Sequence, residues 1–285
     1  MMNPNEQSRN YMVAKDNVLI TKSRYSLTNQ QHKILLCMIS KVKKDDSKET
    51  KYEISVTEIM NICGLVNSGF YYKRIKDEIQ KMSDKSTWIE VEPGKEKLFR
   101  WLDVVEYDKV KKKYTYTFHS TIAPYIFYLV GNYTQYPLKN ILGLKHTYSI
   151  RLYELLRAEM YFAKKNGRGW SVTVDELKKR IDAETYERFN SFMERALIPA
   201  INEINAYTDI SIEYTLEKEH RKVKSIRFTI EQKSKDDMLL TKMRQQERIG
   251  IDERKKDKTA RKKAVLVSSD GNVVCEQLQM DVNVL

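Results

Sequence analysis

Cysteine is scarce. The 285 residues include three, Cys37, Cys63 and Cys275, and no two form a C-x-x-C pair. That excludes a disulfide scaffold and a thiolate zinc site of the usual spacing. Cys37 and Cys63 fall in apolar helical patterns, which predicts buried free thiols and a reducing compartment. Histidine is nearly as rare: His32, His119, His146 and His220 stand far apart, so no two lie at metal-ligand spacing. Long apolar runs are missing too. No stretch approaches the ~20 residues that a membrane-spanning helix needs. The opening "MMNPNEQSRNYM" has no apolar run of signal-peptide length. The expectation is a cytoplasmic chain with no membrane partner. "GLVNSG" (64–69) has P-loop glycine spacing but continues into Phe70 and Tyr71, without the Lys and Ser/Thr that hold phosphate and Mg²⁺. No nucleophile elbow or zinc-protease motif appears either. The chain is therefore expected not to be an enzyme and to need no cofactor or metal.

Basic charge, by contrast, is plentiful. Lys and Arg number 51 against 39 Asp and Glu, a formal net charge of +12. Such a balance favours polyanionic partners, nucleic acid first. The length fits about two domains of ordinary size.

The order of elements repeats. "SLTNQQHKILLCMISKV" (26–42) reads as a helix capped by Thr28 or Asn29, "YEISV" (52–56) as a strand, "TEIMNICGL" (57–65) as a short helix with a Thr cap, and "FYYKRIKDEIQKM" (70–82) as a longer helix. Strands follow at 88–91, 98–108 and 113–119. From residue 147 the same order returns: helix, strand "WSVTV" (170–174), short helix "DELKKRID" (175–182) capped by Asp175, a helix at about 187–206, and a hairpin, 210–216 with 224–230. "ISVTEI" (54–59) aligns with "VTVDEL" (172–177) at an offset of 118 residues. Internal repetition of this kind marks a duplicated unit. The predicted fold class is α+β: two tandem winged-helix domains, each a helix-turn-helix with a β-hairpin wing, related by internal duplication. The first spans 11–130, a packed connector with a short helix spans 131–146, and the second spans 147–231. Residues 232–285 read as a polar, basic, disordered tail, since 254–263 hold seven Lys or Arg against one Asp.

"YTQYPLKNILGLKHTYSIRLYELL" (133–156), "MERALIPAINEINAYTDISIEYTLEKEHRKVKSIRFTI" (193–230) and "DNVLITKSRYSLTNQQHKILL" (16–36) resemble segments of the Rep_3 family, plasmid replication initiators that bind DNA iterons. The resemblance covers roughly residues 11–231. It implies a double-stranded DNA-binding protein that initiates plasmid replication and controls copy number. Both winged helices would bind one direct repeat as a monomer. The first domain would also serve a homodimer, in equilibrium with monomer, that binds an inverted operator and represses the initiator's own gene. The monomer would open the origin and engage the host replicative helicase or initiator. The alternative is a winged-helix transcription regulator with no replication role. A nicking initiator is disfavoured, because it needs two histidines one residue apart beside a Tyr nucleophile.

In a winged helix, the start of the second helix approaches base edges and the wing approaches phosphate. In the second domain Arg188, Ser191 and Arg195 fall on one helix face, with Asn190 and Glu194 beside them. Arg and Asn match guanine and adenine edges. Lys178, Lys179 and Arg180, at the end of the preceding helix, and Arg221, Lys222 and Lys224, near His220 at the wing, are phosphate candidates. Their counterparts in the first domain are Asn67, Ser68, Tyr72, Lys73 and Lys76 on the turn and helix, and Lys111 and Lys112 in the basic hairpin tip. Two modules one helical turn apart would cover about 20 bp. Pro199 interrupts the second domain's long helix, a defect of about 3 kcal/mol in a helix interior. The expectation is a bend there, or a restart with Pro199 in the first turn, where its missing N–H costs little.

Overall fold

The computed structural model describes residues 11–63 and 69–248, with the backbone alone at 69–71. Strand β1 (Met12–Asp16) leads through helix α1 (Asn17–Thr21) and strand β2 (Ser23–Arg24) into helix α2 (Asn29–Ile39). Thr28 caps α2 in a reciprocal box with Gln31, which satisfies two of the orphan donors at a helix start. Strand β3 (Tyr52–Ser55) runs directly into α3 (Val56–Cys63). The hydroxyl that accepts from the first turn of α3 is Ser55 Oγ, from Glu58 N–H, and not the threonine expected. Helix α4 (Gly69–Ser83) buries Ile75, Ile79 and Met82, three of the four positions that helical spacing puts on one face; the fourth, the Tyr71 side chain, lies outside the described residues.

After α4 come strands β4 (Ser86–Glu92), β5 (Lys95–Arg100), β6 (Leu102–Asp108) and β7 (Lys113–Phe118). The single strand expected over 98–108 is two. Trp101 between them is fully buried, and the chain leaves one sheet there and enters another. β4 pairs with both β2 and β5 in one three-stranded sheet, and β7 pairs with both β3 and β6 in another.

The connector is part of the fold. Strand β8 (Tyr133–Pro137) pairs antiparallel with β1, Met12 opposite Pro137 and Asp16 opposite Tyr133. Helix α5 (Lys139–Leu142) follows. The second half consists of α6 (Ser149–Asn166), β9 (Trp170–Thr173), α7 (Val174–Ile181) and α8 (Phe189–Phe192), then a π-helical turn (Met193–Leu197), α9 (Ile198–Tyr207) and the hairpin β10 (Ile210–Glu219) with β11 (Lys222–Gln232). The cap of α7 is Thr173, whose hydroxyl accepts from Glu176 N–H, so Asp175 lies inside the first turn. There its charge still faces the positive end of the helix. The pair β9–α7 repeats β3–α3 residue for residue at the offset of 118 read from sequence. Among the described residues, the β4–β5 hairpin has no counterpart in the second half.

Residues 235–248 are helical, a correction to the disordered tail expected from 232 onward; this helix is α10. Lys233 fixes its start, with Nζ donating to the carbonyls of Asn205 and Thr208 and to Thr241 Oγ1. No helix among the described residues is long and apolar enough to cross a membrane.

One buried charge cluster ties the halves together. Glu154 of α6 meets Lys15 of β1 at 2.5 Å, Arg151 at 3.7 Å and the Tyr136 hydroxyl of β8. Arg151 also donates to the carbonyls of Ile20 and Ser23, at 3.0 and 3.1 Å, and stacks over the Tyr25 ring. His32 of α2 closes the ring of contacts, 3.1 Å from the Tyr25 hydroxyl. Around it, one continuous apolar core runs from Val13 to Ile230.

Candidate nucleic-acid interface

In the second half, a helix start and a hairpin tip face one cleft. Helix α7 ends at Asp182, which takes a left-handed φ of 60°, and Ala183 N–H returns to the Lys178 carbonyl at 2.8 Å. This turn aims residues 183–188 toward the start of α8. Arg188, Asn190, Glu194 and Arg195 are exposed, and Ser191 is half-buried. Beneath them Phe192, Met193, Ala196 and Leu197 fill the core. The hydrophobic period therefore fixes which side chains are presented. A cleft of about 840 Å³ separates this region from the wing, with Lys178 and Phe189 on one side and Arg221 and Lys222 on the other.

The wing candidates Arg221, Lys222 and Lys224 are exposed, as is His220. Lys224 pairs with Glu219 at 2.5 Å, but both side chains are 59% exposed. A pair this open is worth about 1 kcal/mol at most and exchanges readily for a phosphate.

The basic step at the end of α7 differs from expectation. Only Lys179 is exposed. Lys178 is 8% exposed; its ammonium sits 5.5 Å over the Phe192 ring and donates to the Glu187 carbonyl at 3.4 Å. Its neighbours Leu177 and Ile181 are core residues, so the helix carries position 178 inward and the aliphatic stem packs. Arg180 is held by Glu176 at 2.7 Å and approaches Glu159 at 3.9 Å.

The first half has the same arrangement in outline. Lys112 Nζ lies 5.3 Å over the Tyr72 ring, which brings the tip of β6–β7 onto α4. Lys73, Lys76, Lys111 and Lys112 are exposed, and Lys111 is 3.9 Å from Asp108. Asn67 and Ser68 lie outside the described residues, as does the "GLVNS" stretch before α4. Both wing tips share an unusual detail: Lys112 and His220 adopt left-handed φ angles of 52° and 54°. Glycine would relax each position. A basic or imidazole side chain stands there instead, at roughly 1 kcal/mol of backbone strain each.

The segment around Pro199 is not simply α-helical: a π-helical turn precedes it. Ile198 N–H reaches back five residues to the Met193 carbonyl, and α9 restarts with Pro199 in its first turn. Sequence reasoning located this break but missed the residues that hold it. His146 Nε2 lies 3.0 Å from the Arg195 carbonyl oxygen. Glu203 Oε2 accepts from the N–H groups of Lys145 and His146 and from Ser149 Oγ, at 2.8–2.9 Å. Nothing in the linear pattern marks either residue as more than a polar surface position. Among the described residues, no group of three or more His, Cys, Asp or Glu is placed to hold a metal ion.

Comparison with known proteins gives this geometry a lineage. The family model described as "Initiator Replication protein, WH1" matches residues 12–157, and "Initiator Rep protein, WH2" matches residues 173–230. A curated "Replication initiation protein" from Escherichia coli is 24% identical over 217 residues, 73% of this chain and 66% of that protein. The chain thus spans just under two thirds of that relative's length. The crystal structure of the Pi initiator protein in complex with iteron DNA superposes with a TM-score of 0.64 at 20% identity, over 79% of this chain and 99% of that one. At that identity the likeness is one of fold. Two winged helices in tandem, with the WH1 model over residues 12–157 and the WH2 model over 173–230, place this chain in the initiator replication protein family.

Proposed function

We propose that the chain is a sequence-specific double-stranded DNA-binding protein that initiates plasmid replication at repeated origin sites and represses its own gene. The observation that carries this reading is the presence, in each half, of a polar, largely exposed helix face together with a basic wing tip. In the second half these are Arg188, Asn190, Ser191 and Arg195 with Arg221, Lys222 and Lys224; in the first they are Tyr72, Lys73 and Lys76 with Lys111 and Lys112. Membership in the family supports the replication role. The site would be about 20 bp, two major-groove contacts one helical turn apart. A monomer would occupy each direct repeat, a homodimer the inverted operator, and the monomer at the origin would engage the host helicase or initiator.

The test is binding to a duplex that the full chain selects from a randomised pool, followed by footprinting. The expected outcome is protection of about 20 bp, with affinity falling steeply as salt rises. Arg195→Ala should cost about 1–3 kcal/mol and relax preference at one base position if it reads an edge. Lys222→Ala should weaken all duplexes alike and lower the salt slope by about one unit. Affinity that is indifferent to salt would refute the reading. Direct repeats of the selected site beside the gene support the initiator, and a lone inverted repeat supports a dedicated regulator.

A further inference from the structure

An unbroken α-helix would send the N–H of residue 199 to the carbonyl of Arg195. Residue 199 is proline, so that donor does not exist. His146 Nε2 stands at the Arg195 oxygen instead, at 3.0 Å. A carbonyl oxygen only accepts, so this ring nitrogen carries the proton.

His146 belongs to the turn between α5 and α6, and that turn is pinned from both halves of the fold. From the first half, Asn29 Nδ2 at the start of α2 donates to the carbonyls of Leu144 and His146, at 3.2 and 3.3 Å. From the second, Glu203 of α9 accepts the turn's two amides and the Ser149 hydroxyl. One bond therefore reaches the helix before Pro199 and the Glu203 bonds reach it after. Between them lies the π-helical turn that presents Glu194 and Arg195.

We propose that His146 is a positioning residue for DNA reading: it replaces the amide that Pro199 cannot supply, holds the π-helical turn in place, and refers the aim of Arg188, Ser191 and Arg195 to the first module through Asn29. This rests on the DNA-reading function proposed above. It touches no base itself. Its loss leaves the basic surface intact and lets the reading face swing.

The experiment is a double-mutant cycle on the full chain, using His146→Ala, Pro199→Ala and the pair, with His146→Gln as the conservative variant. Two quantities are read: the ratio of affinities for the pool-selected duplex and an unrelated duplex of equal length, and the melting temperature without DNA. With Pro199 present, His146→Ala should lower the affinity ratio about tenfold, the scale of one lost hydrogen bond. Binding to the unrelated duplex should be unchanged. His146→Gln, whose amide can donate, should retain most of the ratio. In the Pro199→Ala background the helix has its own donor, and His146→Ala should lower the melting temperature less than it does beside Pro199. Equal losses in both backgrounds, or an unchanged ratio in His146→Ala while the wild-type chain discriminates, would overturn the proposal. If the wild-type chain selects no sequence from the pool, the DNA-reading function itself fails.

Discussion

Glu154 has no exposure, and burial is the largest influence on its carboxyl, pushing it toward the neutral form. Lys15, His32 and Arg151 oppose that and hold its pKa at about 2. Removing the charge from such a cluster costs more than the cluster contributes, because the partner ions stay buried. Glu154→Gln should therefore destabilise the fold by about 3–5 kcal/mol in denaturant melts, and adding Lys15→Met should recover part of the loss. His32 responds to the same environment: burial above all, with Lys15 and Arg151 assisting against Glu154, drops it from 6.5 to about 3. Between those values the unfolded chain binds a proton that the native chain refuses, so stability falls as pH drops through that window. Glu154 adds a loss of the same sign between 4.5 and about 2. Melts recorded from pH 7 to 4 should fall with a slope approaching roughly 1 kcal/mol per pH unit, and His32→Gln should flatten it above pH 4.5. The sequence put Arg151 and Glu154 on a helix and in the segment that carries the family resemblance, but no spacing brings Lys15 to them. Lys178 misled for a related reason: a Lys–Lys–Arg run looks uniformly solvated until the helix phase turns its first member inward.

Elements were more legible than their edges. The β3–α3 and β9–α7 units fall where the repeat predicts, because alternation and helical period are local signals. The caps at Ser55 and Thr173 lie two residues before the expected ones, since each strand runs into its helix without a turn and the last strand residue serves as cap. The break at Trp101 was invisible because apolar residues continue on both sides of it. Gly169 shows how tight the second module is. It takes a φ of 73°, and a Cβ there would stand 2.4 Å from the Phe228 carbonyl oxygen, on the strand paired with β9. Strain and collision act together, so Gly169→Ala should cost at least about 1–3 kcal/mol, read as a lowered denaturant midpoint. It should also weaken DNA binding through the displaced wing.

The described residues up to Gln245 pack as one compact unit, in which the two modules share a core and a buried charge cluster. They should melt together. Trp101 reports on the first module and Trp170 on the second, packed against Phe228. Single-tryptophan variants that keep one or the other should give coincident unfolding curves, the signature of a two-state unit. Separate midpoints would mean that the modules are joined only by chain. The tandem arrangement was readable from the repeat, whereas the fusion of its cores was not, because it depends on contacts between residues far apart in sequence.

The pairing of β1 with β8 bears on the order in which the protein assembles during synthesis. A ribosome delivers Met12 long before Pro137, at about 5–20 residues per second. Until Tyr133–Pro137 has emerged, Met12–Asp16 has no strand beside it, and Lys15 has no Glu154 to neutralise it. The first module therefore cannot close on itself as it leaves the ribosome. Its opening strand must wait for the connector, and its buried lysine must wait for the helix that starts the second. The earliest strand of the structure is thus among the last to be secured.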